Sequence, residues 1–191
     1  CWISGFFSME FLPSPIPEVV RIKPRVFGDD RGHLYVSWER KVFAAAGLDC
    51  QFVQDNHSGS ERGVLRGLHY QIRQPQGKLV RVVEGEVYDV AVDLRRSSRF
   101  FGRWVGARLS AASRDMLWVP PGFAHGFLVL SPFAQVLYKC TDYYAPEHER
   151  SVLWNDPQLG IEWPLKEAGG QVILSARDSS AALFGSAATF P

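Results

Sequence analysis

The stretch KLVRVVEGEVYDVAVDL, residues 78–94, is the clearest indicator of the fold. Two runs of β-branched and apolar residues flank Gly85, and such runs favour extended strands. Because a glycine between two strands can supply a tight turn, we predict a β-hairpin across these residues. Two short helices are predicted, at residues 40–46 and 146–149. Further strands are predicted for four short runs, at residues 102–109, 116–119, 126–129 and 135–141. Many short strands with close turns indicate an all-β barrel or sandwich.

The bulk composition is that of an ordinary folded protein. The 191 residues fit one domain with a substantial core, and 46% of them are hydrophobic. The net charge of +1 offers no overall field for nucleic acid or an anionic membrane, and we expect neither as a partner. No apolar run is long enough to cross a bilayer. The cysteines, Cys1, Cys50 and Cys140, are odd in number and form no C-x-x-C pair, which favours a reducing cytoplasm over a disulfide framework.

The two ends of the chain depart from the strand pattern. Residues 1–8 are expected to be an N-terminal extension with little functional content, which leaves residues 9–191 as a single domain. In residues 165–191 Ala, Ser and Gly become frequent. Composition alone favours partial disorder of this C-terminal segment.

Residues 63–70, GVLRGLHY, place Arg66 and His69 three positions apart in an apolar run. Histidine exchanges protons near neutral pH, and a guanidinium binds phosphate and carboxylate groups, so the pair suits chemistry on an anionic substrate. For this motif alone, a surface arginine beside a hydrogen-bonded core histidine is an equal alternative.

Residues 120–127, PPGFAHGF, contain P-x-G-x-x-H, which resembles the second signature of the cupin superfamily, a double-stranded β-helix or jelly roll. The proline and glycine shape a turn that delivers His125 from a strand start into the barrel interior. Metal-binding cupins also carry H-x-H in their first motif, where this chain reads His69-Tyr70-Gln71. Two imidazoles without a carboxylate ligand make a poor divalent site, so no metal is expected.

Eight motifs in succession resemble one family closely. They are VFGDDRG (26–32), FVQDNHS (52–58), LRGLH (65–69), QGKLVR (76–81), GEVYDV (85–90), PGFAHGF (121–127), LYK (137–139) and WNDP (154–157). From about residue 18 to residue 178 the chain is similar to the dTDP-4-dehydrorhamnose 3,5-epimerases. The resemblance implies a cupin-type jelly roll that uses neither metal nor cofactor and acts on a dTDP-4-keto-6-deoxyhexose.

The chemistry of such an epimerase can be matched to particular residues. In a 4-keto sugar, C3 and C5 both lie alpha to the carbonyl, so inversion needs a base, an acid on the opposite face and a donor for the enolate oxygen. By resemblance His69 is the base and Asp178 its dyad partner. Lys78 would stabilise the enolate oxygen, and Tyr138 would protonate the opposite face, chiefly at C5. If Asp178 completes the dyad, the C-terminal segment folds back over the site.

Two further residues are assigned to the cavity. By resemblance His125 is a second cavity histidine that contacts the substrate or the enolate. Asp89 lies in an otherwise apolar strand, where an unpaired carboxylate would be costly to bury. We therefore expect Asp89 to pair with Lys78 or His125.

The resemblance also implies a set of contacts to the nucleotide. Arginines would bind the diphosphate, two amide side chains would contact the nucleotide portion, and a tyrosine would stack on thymine. These residues are Arg31, Arg66 and Arg177, then Gln54 and Asn56, then Tyr143. The segment that holds Phe27 and Arg31 would reach a neighbouring subunit's site, which implies a homodimer. One departure is Val36, where the family usually has a glutamate; its side chain cannot accept the hydrogen bonds of a carboxylate.

Several alternatives remain on the same fold. A single-position 3- or 5-epimerase of a related deoxysugar differs by the loss or displacement of the acid on the far face, and Tyr138 favours double epimerisation. A 3,4-ketoisomerase fits the motifs less well, and a metal-dependent cupin lacks its H-x-H. A non-catalytic sugar-binding cupin would not need His69, Lys78, Tyr138 and Asp178 together.

Overall fold

A computed structural model describes residues 9–191, so the predicted extension at residues 1–8 lies outside the described residues. Between residues 9 and 151 the chain forms thirteen short strands. The strands are β1 (Met9–Pro13), β2 (Val20–Pro24), β3 (Phe27–Asp29), β4 (Gly32–Leu34), β5 (Gln54–Glu61), β6 (Leu65–Gln71), β7 (Lys78–Glu84), β8 (Glu86–Asp93), β9 (Trp104–Ser110), β10 (Met116–Val119), β11 (Phe123–Val129), β12 (Phe133–Cys140) and β13 (Glu149–Ser151). The helices are α1 (Arg40–Ala45), α2 (Ala176–Ser179) and two single 3₁₀ turns, Pro146–His148 and Phe184–Ser186.

Two antiparallel sheets form the body of the fold. One has six strands in the order β1-β2-β10-β7-β12-β5, and the other has five in the order β13-β6-β11-β8-β9. Apolar side chains from both sheets, among them Val80, Ala91, Phe127 and Val136, form one buried cluster between them. Alternate residues of β7 and β12 therefore face this interior, as expected for a sandwich. The all-β jelly-roll prediction is confirmed.

The hairpin predicted across residues 78–94 is wrong, although both of its strands exist. β7 lies between β10 and β12, whereas β8 lies between β11 and β9 in the other sheet. Gly85 turns the chain from one sheet to the other with φ at 73°, and a Cβ there would lie 2.1 Å from the carbonyl oxygen of Phe133. The residue pattern indicates strands but not their partners, and here β7 pairs with β10 and β12, which lie far along the chain, instead of with β8.

The C-terminal segment is folded, so the partial disorder suggested by its composition is also wrong. Its main chain forms bridges to the body of the fold at Ile173, Ala182 and Phe190. Phe184 and Ala187 are buried against the five-stranded sheet in a cluster that also contains Leu128 of β11. A few well-placed apolar residues thus suffice to anchor a segment rich in Ala and Ser.

Helix α1 covers the outer face of the six-stranded sheet through Phe43, which is fully buried. It confirms the helix predicted at residues 40–46. The small β3–β4 hairpin belongs to neither large sheet, and Leu34 in it is 65% exposed. Within residues 9–191, no helix has the length and apolar character needed to span a membrane.

Candidate active site

A cavity of about 340 Å³ opens between the two sheets and gathers most of the predicted site residues. The six-stranded sheet contributes side chains from β5, β7 and β12, and the five-stranded sheet contributes side chains from β6, β11 and β13. The lining residues are Gln54, Asn56, Ser58, Arg66, His69, Gln76, Lys78, His125, Phe127, Tyr138, Tyr144, Glu149 and Arg177.

His69 and Asp178 form a close polar pair at this cavity. Nε2 of His69 lies 2.5 Å from Oδ1 of Asp178, and the carboxylate side chain is only 4% exposed. Ser175 caps α2 by accepting the Asp178 main-chain N–H, which fixes the carboxylate at the start of the helix. Burial would raise the pKa of Asp178, but hydrogen bonds from His69 and Ser175 and the nearby charges lower it overall. An ionised carboxylate then holds the proton on Nε2 and leaves Nδ1 of His69 free to act as a base.

His125 and Asp89 form a second, deeper pair. Nε2 of His125 lies 3.0 and 2.9 Å from the two carboxylate oxygens of Asp89, and both residues are buried. Asp89 is therefore hydrogen-bonded to His125 and not to Lys78. His125 on β11 is also the cross-strand neighbour of His69 on β6, so the two imidazoles stand side by side on one wall.

Lys78 and Tyr138 lie together on the other wall, in β7 and β12. The Lys78 ammonium is 5.9 Å from the centroid of the Tyr138 ring. In the described part of the chain neither Nζ of Lys78 nor the Tyr138 hydroxyl has a hydrogen-bonding or ion-pair partner, so both are available to a ligand. Burial lowers the pKa of Lys78 against the opposing effect of Cys140, Asp89 and Glu149. Burial raises the pKa of Tyr138, which keeps its hydroxyl protonated as an acid must be.

The arrangement can therefore move protons across a bound ring. His69 and Tyr138 approach the same cavity from different sheets, and Lys78 supplies a positive charge beside Tyr138. A base and an acid on opposite walls, with a cation nearby, suit reactions through an enolate.

The arginines of the cavity have distinct surroundings. Nε of Arg66 donates to the Ser60 hydroxyl at 3.0 Å, which leaves its terminal nitrogens for a ligand. Arg177 pairs with Glu149 at 2.5 Å, and its Nη2 is 3.2 Å from Nε2 of His69. The structure thus places Arg177 beside the His69–Asp178 pair rather than free in solvent.

Three predicted binding residues are not brought to the cavity of this chain. Phe27 and Arg31 lie on the β3–β4 hairpin, where the Arg31 side chain is 89% exposed and pairs with Asp29. Tyr143 is 63% exposed and does not line the cavity, whereas the adjacent Tyr144 does.

Five lining residues were missed from the sequence. Ser58 and Phe127 follow Asn56 and His125 at the two-residue period of a strand, which could have revealed them. The others are Gln76, Tyr144 and Glu149. Glu149 had no local signal, because only the pairing of β13 with β6 brings it to the cavity.

No group of three His, Cys, Asp or Glu side chains within residues 9–191 is arranged to hold a metal ion.

Comparison with known proteins gives a consistent result. A family model described as dTDP-4-dehydrorhamnose 3,5-epimerase matches residues 13–186. A Pseudomonas aeruginosa protein of that name is 59% identical over 177 residues, which cover 92% of this chain and 96% of the relative.

Solved structures agree with this fold. The 3,5-epimerase from Legionella pneumophila, in complex with dTDP-4-keto-L-rhamnose, has a TM-score of 0.90 and 51% identity, and the match covers 94% of each chain. A 3'-monoepimerase from Streptomyces bikiniensis, in complex with dTDP-quinovose, has a TM-score of 0.84 and 35% identity over 91% of this chain and 87% of the other.

Proposed function

Because the chain belongs to the dTDP-4-dehydrorhamnose 3,5-epimerase family, we propose that it converts dTDP-4-dehydro-6-deoxy-D-glucose to dTDP-4-dehydro-L-rhamnose. It is an isomerase that inverts carbons C3 and C5 of the hexose. The observation that carries the proposal is that His69 and Tyr138 line one cavity from opposite sheets, with Lys78 beside Tyr138.

The reaction begins with loss of a proton next to the ketone. Nδ1 of His69 takes the proton from C3, the C–H electron pair moves into the C3–C4 bond, and the C4 oxygen becomes an enolate. Lys78 stabilises that oxygen by charge, and Asp178 stabilises the imidazolium that forms on His69. The Tyr138 hydroxyl, neutral because of its raised pKa, can return a proton to the opposite face of the ring.

Solvent then takes the proton from the His69 imidazolium and reprotonates the Tyr138 oxygen, and the same sequence at C5 completes the double inversion. There the enolate forms between C4 and C5 and again places its charge on the C4 oxygen. Reprotonation from the Tyr138 side inverts the carbon, whereas return of the proton by His69 restores it. The position of Tyr138 relative to C5 therefore decides whether one carbon or two are inverted.

The nucleotide portion is held by the rim of the cavity in this proposal. Arg66 and Arg177 bind the diphosphate, and Tyr143, exposed just outside the cavity, stacks on thymine. Gln54 and Asn56 provide neutral hydrogen-bonding groups. His125, fixed by Asp89, contacts the sugar near the enolate oxygen.

The functional unit is proposed to be a homodimer. Phe27 and Arg31 lie on an exposed hairpin away from the cavity of their own chain, which supports a role in the site of a neighbouring copy. The enzyme is proposed to work in the cytoplasm, where the free thiols of Cys50 and Cys140 would stay reduced. We propose that it needs neither metal nor cofactor.

Proton NMR in deuterated water tests the proposal directly. Purified protein is mixed with dTDP-4-keto-6-deoxyglucose, first without and then with a chelator. Deuterium is expected at both C3 and C5, together with the signals of the L-rhamno product. Exchange at one carbon would indicate a single-position epimerase, as in the monoepimerase relative, and loss of exchange on chelation would indicate a required metal. No exchange before chelation would reject this substrate.

A further inference from the structure

A chain of three hydrogen bonds runs along the wall of the cavity that β5 provides. The main-chain N–H of Tyr144 donates to Oε1 of Gln54 at 2.9 Å. Nε2 of Gln54 donates to Oδ1 of Asn56 at 3.0 Å. Nδ2 of Asn56 in turn donates to the Cys140 sulfur at 3.4 Å.

The direction of these three hydrogen bonds is set at the Tyr144 end. A main-chain N–H can only donate, so Gln54 must turn its oxygen towards Tyr144 and its nitrogen towards Asn56. Asn56 must then accept with its oxygen and point its nitrogen at Cys140. Rotating either amide by half a turn would bring two donors or two acceptors face to face, and each such mismatch is costly.

Cys140, the last member of this series of hydrogen bonds, is buried. It is 0% exposed at the end of β12, and it is paired in register with Gln54 of β5 on one side and Lys78 of β7 on the other. Burial raises the pKa of its thiol. The thiol therefore stays protonated at physiological pH, and its sulfur can accept a hydrogen bond from Asn56.

We propose that Cys140 is a positioning residue: it anchors the Asn56 amide, whose orientation Tyr144 and Gln54 set, in place before any ligand binds. After these bonds are made, each amide still has one N–H and one oxygen lone pair to offer. Such a wall recognises an uncharged group that presents both a donor and an acceptor, as sugar hydroxyls and the imide edge of a pyrimidine do. A phosphate, which only accepts, would meet the free lone pairs as well as the donors. The inference rests on the proposed function for the choice of substrate.

The test compares Cys140→Ala with Cys140→Ser and with Cys50→Ala, a matched loss of a thiol outside the cavity. Wild-type protein is first shown to epimerise dTDP-4-keto-6-deoxyglucose, since failure there would concern the proposed function and not this inference. For Cys140→Ala we expect KM to rise about two- to tenfold, as for one weak hydrogen bond, while kcat stays within about twofold. Cys140→Ser, whose hydroxyl can accept from Asn56, should restore KM, and Cys50→Ala should leave it unchanged.

Two further readouts separate positioning from a general loss of packing. The side-chain amide signals of Asn56, assigned by their absence in Asn56→Asp, should shift or broaden in Cys140→Ala and not in Cys50→Ala. Binding of dTDP distinguishes the two ligand groups: weaker binding assigns the wall to the nucleoside, and unchanged binding with raised KM assigns it to the hexose. Unchanged KM, dTDP affinity and amide signals in Cys140→Ala would overturn the inference. A KM defect that Cys140→Ser does not correct would do so as well.

Discussion

Replacing Asp178 by Asn tests the centre of the proposed mechanism. The substitution keeps the size of the side chain and an oxygen that can accept from Nε2 of His69, 2.5 Å away in the native protein. It removes the negative charge that stabilises the imidazolium formed when His69 takes a proton. The capping bond from the Asp178 main-chain N–H to Ser175 is unaffected, so the fold should persist.

The size of the effect follows from the geometry of the pair. Two unit charges about 4 Å apart interact by about 4 kcal/mol at an effective dielectric of about 20. His69 is 22% exposed, so solvent screens part of this interaction. We take about 2–4 kcal/mol as the contribution to the barrier, which corresponds to a fall in kcat of about 30- to 1000-fold.

The assay is the initial rate of deuterium incorporation at C3 and C5 under saturating substrate, with thermal unfolding measured on the same sample. Asp178→Asn should lower both rates together, because one base serves both carbons, and should leave KM within about threefold. An Asp178→Asn protein that is folded and turns over at the wild-type rate would falsify the dyad. A fall confined to one carbon would contradict a shared base.

Four further predictions concern other parts of the molecule. Tyr138→Phe should depress inversion at C5 about 100-fold or more while deuterium exchange at C3 persists, as measured by NMR; equal loss at both carbons would count against the assigned role. Lys78→Met, of similar length but uncharged, should lower kcat about 100- to 1000-fold with little change in dTDP binding by calorimetry, and near-normal kcat would exclude enolate stabilisation by Lys78. Because the pKa of Asp178 is lowered in the folded state, its ionised carboxylate stabilises the fold above the ordinary carboxyl pKa of about 4, and this contribution is lost as the pH falls through the lowered pKa. The difference in unfolding free energy between wild type and Asp178→Asn should therefore shrink below about pH 4. A difference that stays constant down to about pH 2 would refute the linkage. Mixing His69→Ala protein with Arg31→Ala protein should recover activity that neither has alone, because one site of each mixed dimer would be intact; no recovery after subunit exchange would reject a partner contribution.

The elements of this fold were more predictable than their arrangement. β-branched runs located β7 and β8, and a short helix was predicted where α1 lies, because those signals depend on neighbouring residues alone. The pairing of strands depends on contacts between residues far apart in the chain. Gly85 shows the difference: its sequence context suits a hairpin, but the φ of 73° serves a crossing between sheets.

The candidate site divides in the same way. His69, His125, Lys78 and Tyr138 were found because each lies in a motif whose residues are close in sequence. Glu149 was not found, because its place beside Arg177 is created by the pairing of a three-residue strand with β6. The folding of the C-terminal segment was misjudged from composition, since an average over many Ala and Ser conceals the few apolar residues that anchor it.

The separation of His69 and Asp178 along the chain, 109 positions, has a consequence for the timing of activity. Every strand of the two large sheets is complete by residue 151, so the walls of the cavity are encoded well before the carboxylate that activates the base. During synthesis a nascent chain could shape its cavity and still hold an unassisted imidazole. Efficient proton abstraction then requires that the segment carrying Asp178 has been made and has docked on β6. The dyad thereby ties full enzymatic turnover to the docking of the C-terminal segment.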